Sequence, residues 1–590
     1  MAEVVVSHNS PGLRNQTGQR MNNRVRRDVI FLGVLVFAGT LPFVNRAIHL
    51  DENTYLAIAR HVAHNFWFPE DFASLWFGIP SLNFAPHTHP PGLAYFLALI
   101  MKLIPEATPR LMRLGFLIFP LAYAVGGYLL ACRFTRHPLA AASLMMATPA
   151  VLVFSPTLMP DLPMTTFWLL SARSFVRGLD EGKPWMVILA GVFLSVGSEV
   201  SYQAVFMSVL LLFYAAMRRW TLDVRRIHWL LIISSLALPW IALTAYWCAD
   251  YLHYGFWPAL VSAKYLATAR VFGLEYLQQK LLGMISTLGG TLLFCFSIVL
   301  VFAKREKWKG LVLVLGLALG ADVWMPREYS IFERGEYFVF AVGGLSLMGL
   351  VIRFSWSAIK GTHTANADSA GQVFLGCWVF GVIAYTILLF EFSAARYIVA
   401  IVPPLAIIFV IELEHLFNRA EVRRAFLTAS FIATWILAFA VASADYQFVD
   451  SYRDFSKWFS QKYAPARGAF WVGTEAGLRY YLEDEGGRTL VNSSSPTNPE
   501  CLPGVKWGEE HFGRPRPEDL LVRPENFLRY PIASDLERSV LIDSRSLTSR
   551  LPIRTYGPSF HAGLHGTNVG LLPFTFSGAP FDRIEVYKCK

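Results

Sequence analysis

Charge is scarce in this chain of 590 residues: Asp, Glu, Lys and Arg make up 16% of it, against 54% hydrophobic residues. With a mean hydropathy of +0.41, that excludes an ordinary soluble protein, whose water-facing surface needs more ionised groups than this chain carries. Cysteine is sparse too. Six Cys, with no Cys-x-x-Cys and no Cys/His metal spacing, exclude a disulfide framework and a zinc module. Cys132, Cys295 and Cys377 fall in apolar runs and read as core fillers. Cys501 and Cys589 share the final polar segment, where a Cys501–Cys589 disulfide stays open if that segment is extracytoplasmic. There is no repeat of fixed period and no low-complexity tract beyond the N-terminal tail, which removes solenoids and disordered scaffolds. The net charge of +10 does not point to nucleic acid, because most Lys and Arg sit in short clusters between apolar runs.

What the chain has is apolar length. Runs long enough to span a bilayer occur at 28–49, 111–132, 138–154, 163–175, 185–200, 204–217, 229–248, 282–302, 311–325, 337–352, 373–390, 398–417 and 425–442. The pattern predicts a polytopic α-helical membrane protein with about thirteen transmembrane helices and a C-terminal soluble α/β domain. Aromatic residues at 15%, with 17 Trp, suit the two membrane interfaces. Residues 1–27 read as a disordered cytoplasmic basic tail ending in Arg24, Arg26 and Arg27, and the first run as a signal anchor. Counting from a cytoplasmic N-terminus, Arg133/Arg136, Arg173/Arg177/Lys183, Arg218/Arg219 and Arg419/Arg423/Arg424 fall in inside loops. The same parity keeps residues 92–104 outside or re-entrant, within an outer loop 50–110 that holds interfacial helices. It places 28–443 in a transmembrane domain and 444–590 outside. In that last segment 469–472, 539–542 and 583–587 read as strands, and Gly473-Thr474-Glu475-Ala476-Gly477 as a strand-to-helix turn with a weak nucleotide-loop signal. Loop 250–280 reads as amphipathic helices on the membrane surface.

Chemistry is expected where ionisable residues gather at one face. Asp51 and Glu52 open an amphipathic stretch at the outer surface. A cap for that helix and a catalytic carboxylate are both open readings of Asp51. Pro86-His87-Thr88-His89-Pro90-Pro91-Gly92 puts two His where the chain re-enters the membrane. A surface turn, phosphate binding or proton transfer by His89, and a metal pair without a third ligand are the alternatives. Asp161 lies between Pro160 and Pro163 at the start of an apolar helix, and capping is again the simple reading. Two separated outer loops, each presenting an acid at a helix start, fit a site for a hydroxyl acceptor and a charged leaving group.

These residues resemble the GT-C glycosyltransferases related to protein O-mannosyltransferases and lipid A aminoarabinose transferases. The likeness is carried by Asp51-Glu52 with Tyr55 and Ile58-Ala59-Arg60, by His89-Pro90-Pro91-Gly92 with Tyr95, by Arg113, by Asp161, and by Arg396-Tyr397 followed by Pro403-Pro404. It runs from about Val29 to about Phe417, with the soluble tail reading as a variable appendage. The resemblance implies a sugar donor carried on polyprenyl phosphate and inverting transfer to a hydroxyl on protein, lipid or glycan, without a nucleotide sugar. Asp51 would be the general base, Glu52 and Asp161 further acids of the site, and His89, Tyr55, Tyr397 and Arg113 contacts to phosphate or substrate. The chain departs from the family at Gly197-Ser198-Glu199-Val200, where many members carry a Lys after the glycine. Among outer-loop cations Arg396 is the first choice for stabilising a phosphate leaving group, ahead of Lys264, Arg270, Arg327 and Arg334, which also read as snorkelling residues. The sequence points to no particular cofactor, and a divalent cation stays open; membrane lipids are partners and nucleic acid is not. The competing class is a transporter or lipid flippase, which should place ionisable groups at mid-span. Asp322 is the main residue that does so.

Overall fold

A computed structural model of the chain describes residues 11–49, 51–69, 71–76, 79–82, 89–104, 106–221, 227–255, 257, 260, 273–292, 308–360, 368–463, 469–474, 477–490, 512–513, 515–525 and 539–590. The first helix is Pro11–Thr40. Residues 11–27 are therefore helical rather than disordered: after Pro11 no proline interrupts the chain until Pro42, where a 3-10 turn, Leu41–Phe43, ends the helix.

Among the described residues, five helices are long and apolar enough to cross a bilayer: Pro109–Ala131, Trp229–Tyr254, Ile331–Ile359, Ser369–Leu389 and Ala420–Tyr463. Shorter apolar helices fill in between them, including Gly92–Leu103, Pro138–Ala147 and Pro184–Val200. The expected single run 138–154 is broken. Pro149 has no N–H to continue the helix, and the Thr148 side chain accepts from Val151 N to start a new one, Pro149–Phe154. Gly92–Leu103, at 12 residues, is about 18 Å long and falls short of a ~30 Å hydrocarbon core. The run expected at 282–302 starts inside helix Leu274–Thr291 and continues into residues outside those described.

Small residues set one close helix crossing. A Cβ on Gly289 would collide with Phe340 O, and one on Gly344 with Ile285 O, so helices Leu274–Thr291 and Ile331–Ile359 meet backbone to backbone. Helix Asp161–Glu181 ends on Gly182 in the left-handed region (φ 64°), which turns the chain into helix Pro184–Val200. At this end of the bundle Arg133 and Arg218 each bridge Asp180 and Asp368, at 2.5 to 3.2 Å, in a closed four-membered ion ring. Asp180 and Asp161 share one helix, so the ring lies about 30 Å from the Asp161 end.

Helix Ala420–Tyr463 runs through the expected domain boundary. Its last turns place Phe448, Tyr452, Phe455 and Phe459 in a second core with Val472, Leu478, Leu482, Val522, Ile584 and Val586. The sheet there has six strands in the order Phe512–Gly513, Arg488–Leu490, Phe470–Val472, Leu520–Pro524, Asp582–Lys588, Val540–Leu547. The first four are parallel, and the last two join antiparallel. Helix Gly477–Asp484 follows the predicted turn, whose Glu475 and Ala476, like Cys501, lie outside the described residues. One expectation is corrected outright. The C-terminal segment is not an appendage: Ile553, Leu564, Leu571, Leu572 and Phe574 are buried in the same apolar core as the helical bundle.

Candidate active site

Asp51 precedes helix Glu52–His64, yet its side chain makes no capping hydrogen bond. Its carboxylate accepts instead from Arg396 Nη1 at 2.9 Å, across 345 residues of sequence. That contact turns the carboxylate away from the first-turn amides that a capping side chain would face. Arg396 sits on the short helix Ala395–Ile398, donates its Nη2 to the Tyr397 hydroxyl at 3.2 Å, and packs over the Tyr397 ring. Its Nε is buried and has no hydrogen-bond partner among the described residues.

Other segments converge on this pair. Asp161 is the first residue of its helix and is buried. Its Oδ2 has no hydrogen-bond partner among the described residues, and its carboxyl lies in the field of Arg396 and Asp51. The Tyr55 hydroxyl is pushed up by burial and by Asp51, and also senses Arg396, Asp161 and Tyr397. His89 lies beside the Tyr55 ring, with Nδ1 3.2 Å from Ser201 Oγ. Burial, and then Arg396, lower its pKa from the usual 6.5 to about 4, while Asp51 pulls the other way. His89 is thus a neutral hydrogen-bonding group at physiological pH, and the positive charge of the site comes from Arg396. Because the unfolded imidazole takes up a proton below about 6.5 and the folded one resists it to about 4, the stability it contributes is complete above 6.5 and is lost as pH falls toward 4. Thermal melts across that window should show a steeper acid loss for the wild type than for His89→Gln.

The structure gives Glu52 and Arg113 another setting. Glu52 is buried and accepts from His49 N (2.9 Å), Leu158 N (2.8 Å), Arg46 Nη1 (3.3 Å) and Arg113 Nη2 (3.1 Å). Arg113, at 1% exposure, also donates to Pro156 O, Arg46 O and Ala47 O. The cluster ties the loop before helix Glu52–His64 to the loop before helix Asp161–Glu181, and so sets Asp51 and Asp161 relative to each other. Removing one charge from a buried ion group typically costs about 3–5 kcal/mol. Glu52→Gln should therefore lower the thermal midpoint by much more than any substitution at Asp51, measured in the same detergent.

Lys264, Arg270 and His87 lie outside the described residues. Arg334 donates to Asp322 O and to Pro326 O, both at 2.9 Å, and is held at a helix junction. Among the described residues no group of three or more His, Cys, Asp or Glu gathers as a cation-holding set. Sequence reasoning passed over Arg46, Asp445 and His565. Asp445 accepts from Arg46 Nη2 (2.9 Å) and contacts His565 Nε2 (2.7 Å). The signal was present: Asp445 is a lone acid directly after an apolar run of a membrane chain, a position that asks for a partner.

Residues 88–247 match the model of the family described as dolichyl-phosphate-mannose-protein mannosyltransferase. No curated protein sequence matches the chain. Among solved structures it is similar to the oligosaccharyltransferase of Archaeoglobus fulgidus in the apo form, with a TM-score of 0.50 and 13% identity over 80% of this chain. The chain spans 65% of that protein's length. It is also similar to ArnT from Cupriavidus metallidurans bound to undecaprenyl phosphate, with a TM-score of 0.42, 13% identity, and 85% of this chain and 93% of that one covered. Arabinosyltransferase EmbB from Mycobacterium smegmatis matches with a TM-score of 0.31, 15% identity, and 74% and 42% covered. The chain shares its fold with the oligosaccharyltransferase of Archaeoglobus fulgidus. Within that fold, the mannosyltransferase family pattern covers the segment from Thr88, just before His89, to Trp247, and includes Asp161.

Proposed function

We propose that this chain is a multi-pass membrane glycosyltransferase that moves a sugar from a polyprenyl-phosphate carrier to an acceptor hydroxyl at the outer face of the membrane. The observation that carries the reading is the Asp51–Arg396 pair, a carboxylate and a guanidinium from distant segments, with Asp161, Tyr55 and His89 around it. Asp51 takes the proton of the acceptor hydroxyl as its oxygen attacks the anomeric carbon. The bond from that carbon to the phosphate oxygen breaks on the opposite face, its electron pair leaves with the phosphate, and the configuration inverts. The free Nε of Arg396 is a donor for the departing phosphate, where a fixed charge stabilises the transition state more than water would. Asp161 orients the sugar or acceptor, and neutral His89 supplies a hydrogen bond. Glu52 and Arg113 act by holding the two acidic loops.

In this reading residues 1–27 and the ion ring of Arg133, Asp180, Arg218 and Asp368 face the cytoplasm, 28–443 form the membrane domain, and 444–590 lie outside. The transporter alternative loses its main support, because Arg334 donates to the backbone carbonyl of Asp322 and their side chains approach to 3.9 Å. Mass spectrometry of lipids that copurify in mild detergent, joined to a transfer assay with synthetic polyprenyl-phosphate sugars, tests the function. A bound polyprenyl-phosphate species and transfer to a hydroxyl support it. Neither bound lipid nor transfer, together with solute flux in liposomes, would overturn it.

A further inference from the structure

The loop Gly563-Leu564-His565-Gly566-Thr567-Asn568-Val569-Gly570 carries three glycines in eight residues, and the structure shows why. A Cβ on Gly563 would meet Gly570 O and Gly566 O, and one on Gly570 would meet the His561 backbone, so the loop folds tightly on itself. One side of it grips the segment just before Arg396. Ala395 N donates to Leu564 O (3.0 Å), Thr567 N to Ser393 O (2.8 Å), and Ser393 N to Thr567 Oγ1 (3.0 Å). The other side reaches the segment before Asp51: His565 Nε2 contacts Asp445 Oδ1, Asp445 Oδ2 accepts from Arg46, and Arg46 bridges Glu52. Tyr556, buried, packs edge-on to His565 at 5.4 Å.

We propose that this C-terminal loop is a working part of the transfer site: His565 and Thr567 are positioning residues that brace both arms of the Asp51–Arg396 pair. The inference rests on the functional reading above for its catalytic consequence, but not for the brace itself. A misplacement of about 1 Å in a catalytic group is enough to cost on the order of a hundredfold in rate. A brace acting from a separate part of the sequence therefore has leverage over turnover without touching substrate.

Thr567→Val removes the oxygen that accepts from Ser393 N at nearly constant shape, and Thr567→Ser keeps it. In the full-length protein, hydrogen exchange of the amides from Ser393 to Arg396 should speed up about tenfold in Thr567→Val and stay near wild type in Thr567→Ser. Transfer by Thr567→Val should fall about tenfold or more in kcat, with a smaller change in KM for the donor, and Thr567→Ser should remain within about twofold. Unchanged exchange in Thr567→Val would overturn the brace. Faster exchange with unchanged kcat would overturn its role in transfer. A wild-type protein that transfers no sugar would sink the functional reading, while the exchange result would still decide the brace.

Discussion

Asp51→Asn should reduce sugar transfer by about 10²–10⁴-fold, the usual worth of general-base assistance, and leave the fold intact. The structure gives both halves of that expectation. Asp51 makes no capping bond that the helix needs, and its side chain is 31% exposed, so the loss of its pairing with Arg396 costs little stability. Asn retains an oxygen for the 2.9 Å contact with Arg396 but cannot take the acceptor's proton. Initial rates with a synthetic polyprenyl-phosphate sugar, beside thermal melts of the same preparations, make the measurement. Near-wild-type turnover would remove Asp51 as the base and leave Asp161, with its unpartnered Oδ2, as the next carboxylate to test.

Arg396→Met should be almost as severe, with a loss of about 10²–10³-fold in kcat, because a preorganised donor to a developing anion is worth that much inside a site. Arg396 pairs with Asp51 through one nitrogen and Tyr397 through another, which leaves Nε unpartnered in a buried position. Arg396→Lys keeps the charge but not the fork, and should recover only part of the rate. Binding of a fluorescent polyprenyl phosphate, measured alongside turnover, separates lost affinity from lost transition-state stabilisation. A Met variant that binds and turns over like the wild type would reduce Arg396 to an anchor for Asp51.

The acids and the cation at the centre were legible in the sequence because each one breaks a local rule. Asp51 follows an apolar run and opens an amphipathic helix, Asp161 is a charge at the mouth of an apolar helix, and Arg396 is a cation in a short loop between two apolar runs. Strands around 469–472, 539–542 and 583–587 were legible from alternation and composition. The ion cluster was not. Glu52 follows Asp51 directly and looks like its twin, and only the packing of Arg46 and Arg113 turns it inward. No periodicity links Arg46 to Asp445, which is 399 residues away. Reading the C-terminal segment as an appendage failed for a related reason. Its polar composition describes what most of its surface meets, whereas Leu564, Leu571 and Leu572 are too few to announce that one loop enters the bundle core. The break at Pro149 was visible in principle, but the hydropathy window averages over a single proline.

Helix Ala420–Tyr463 is 44 residues long, about 66 Å, or roughly twice the thickness of a hydrocarbon core. Asp445, which meets His565, and Phe448, Tyr452 and Phe455, which enter the second core, all ride on this one rod. Adding or deleting a single residue below Asp445 would therefore swing everything above it by about 100° while lifting it only about 1.5 Å. The rod is indexed like a camshaft: its residue count, more than its composition, sets the azimuth at which the C-terminal loop meets the Asp51–Arg396 pair.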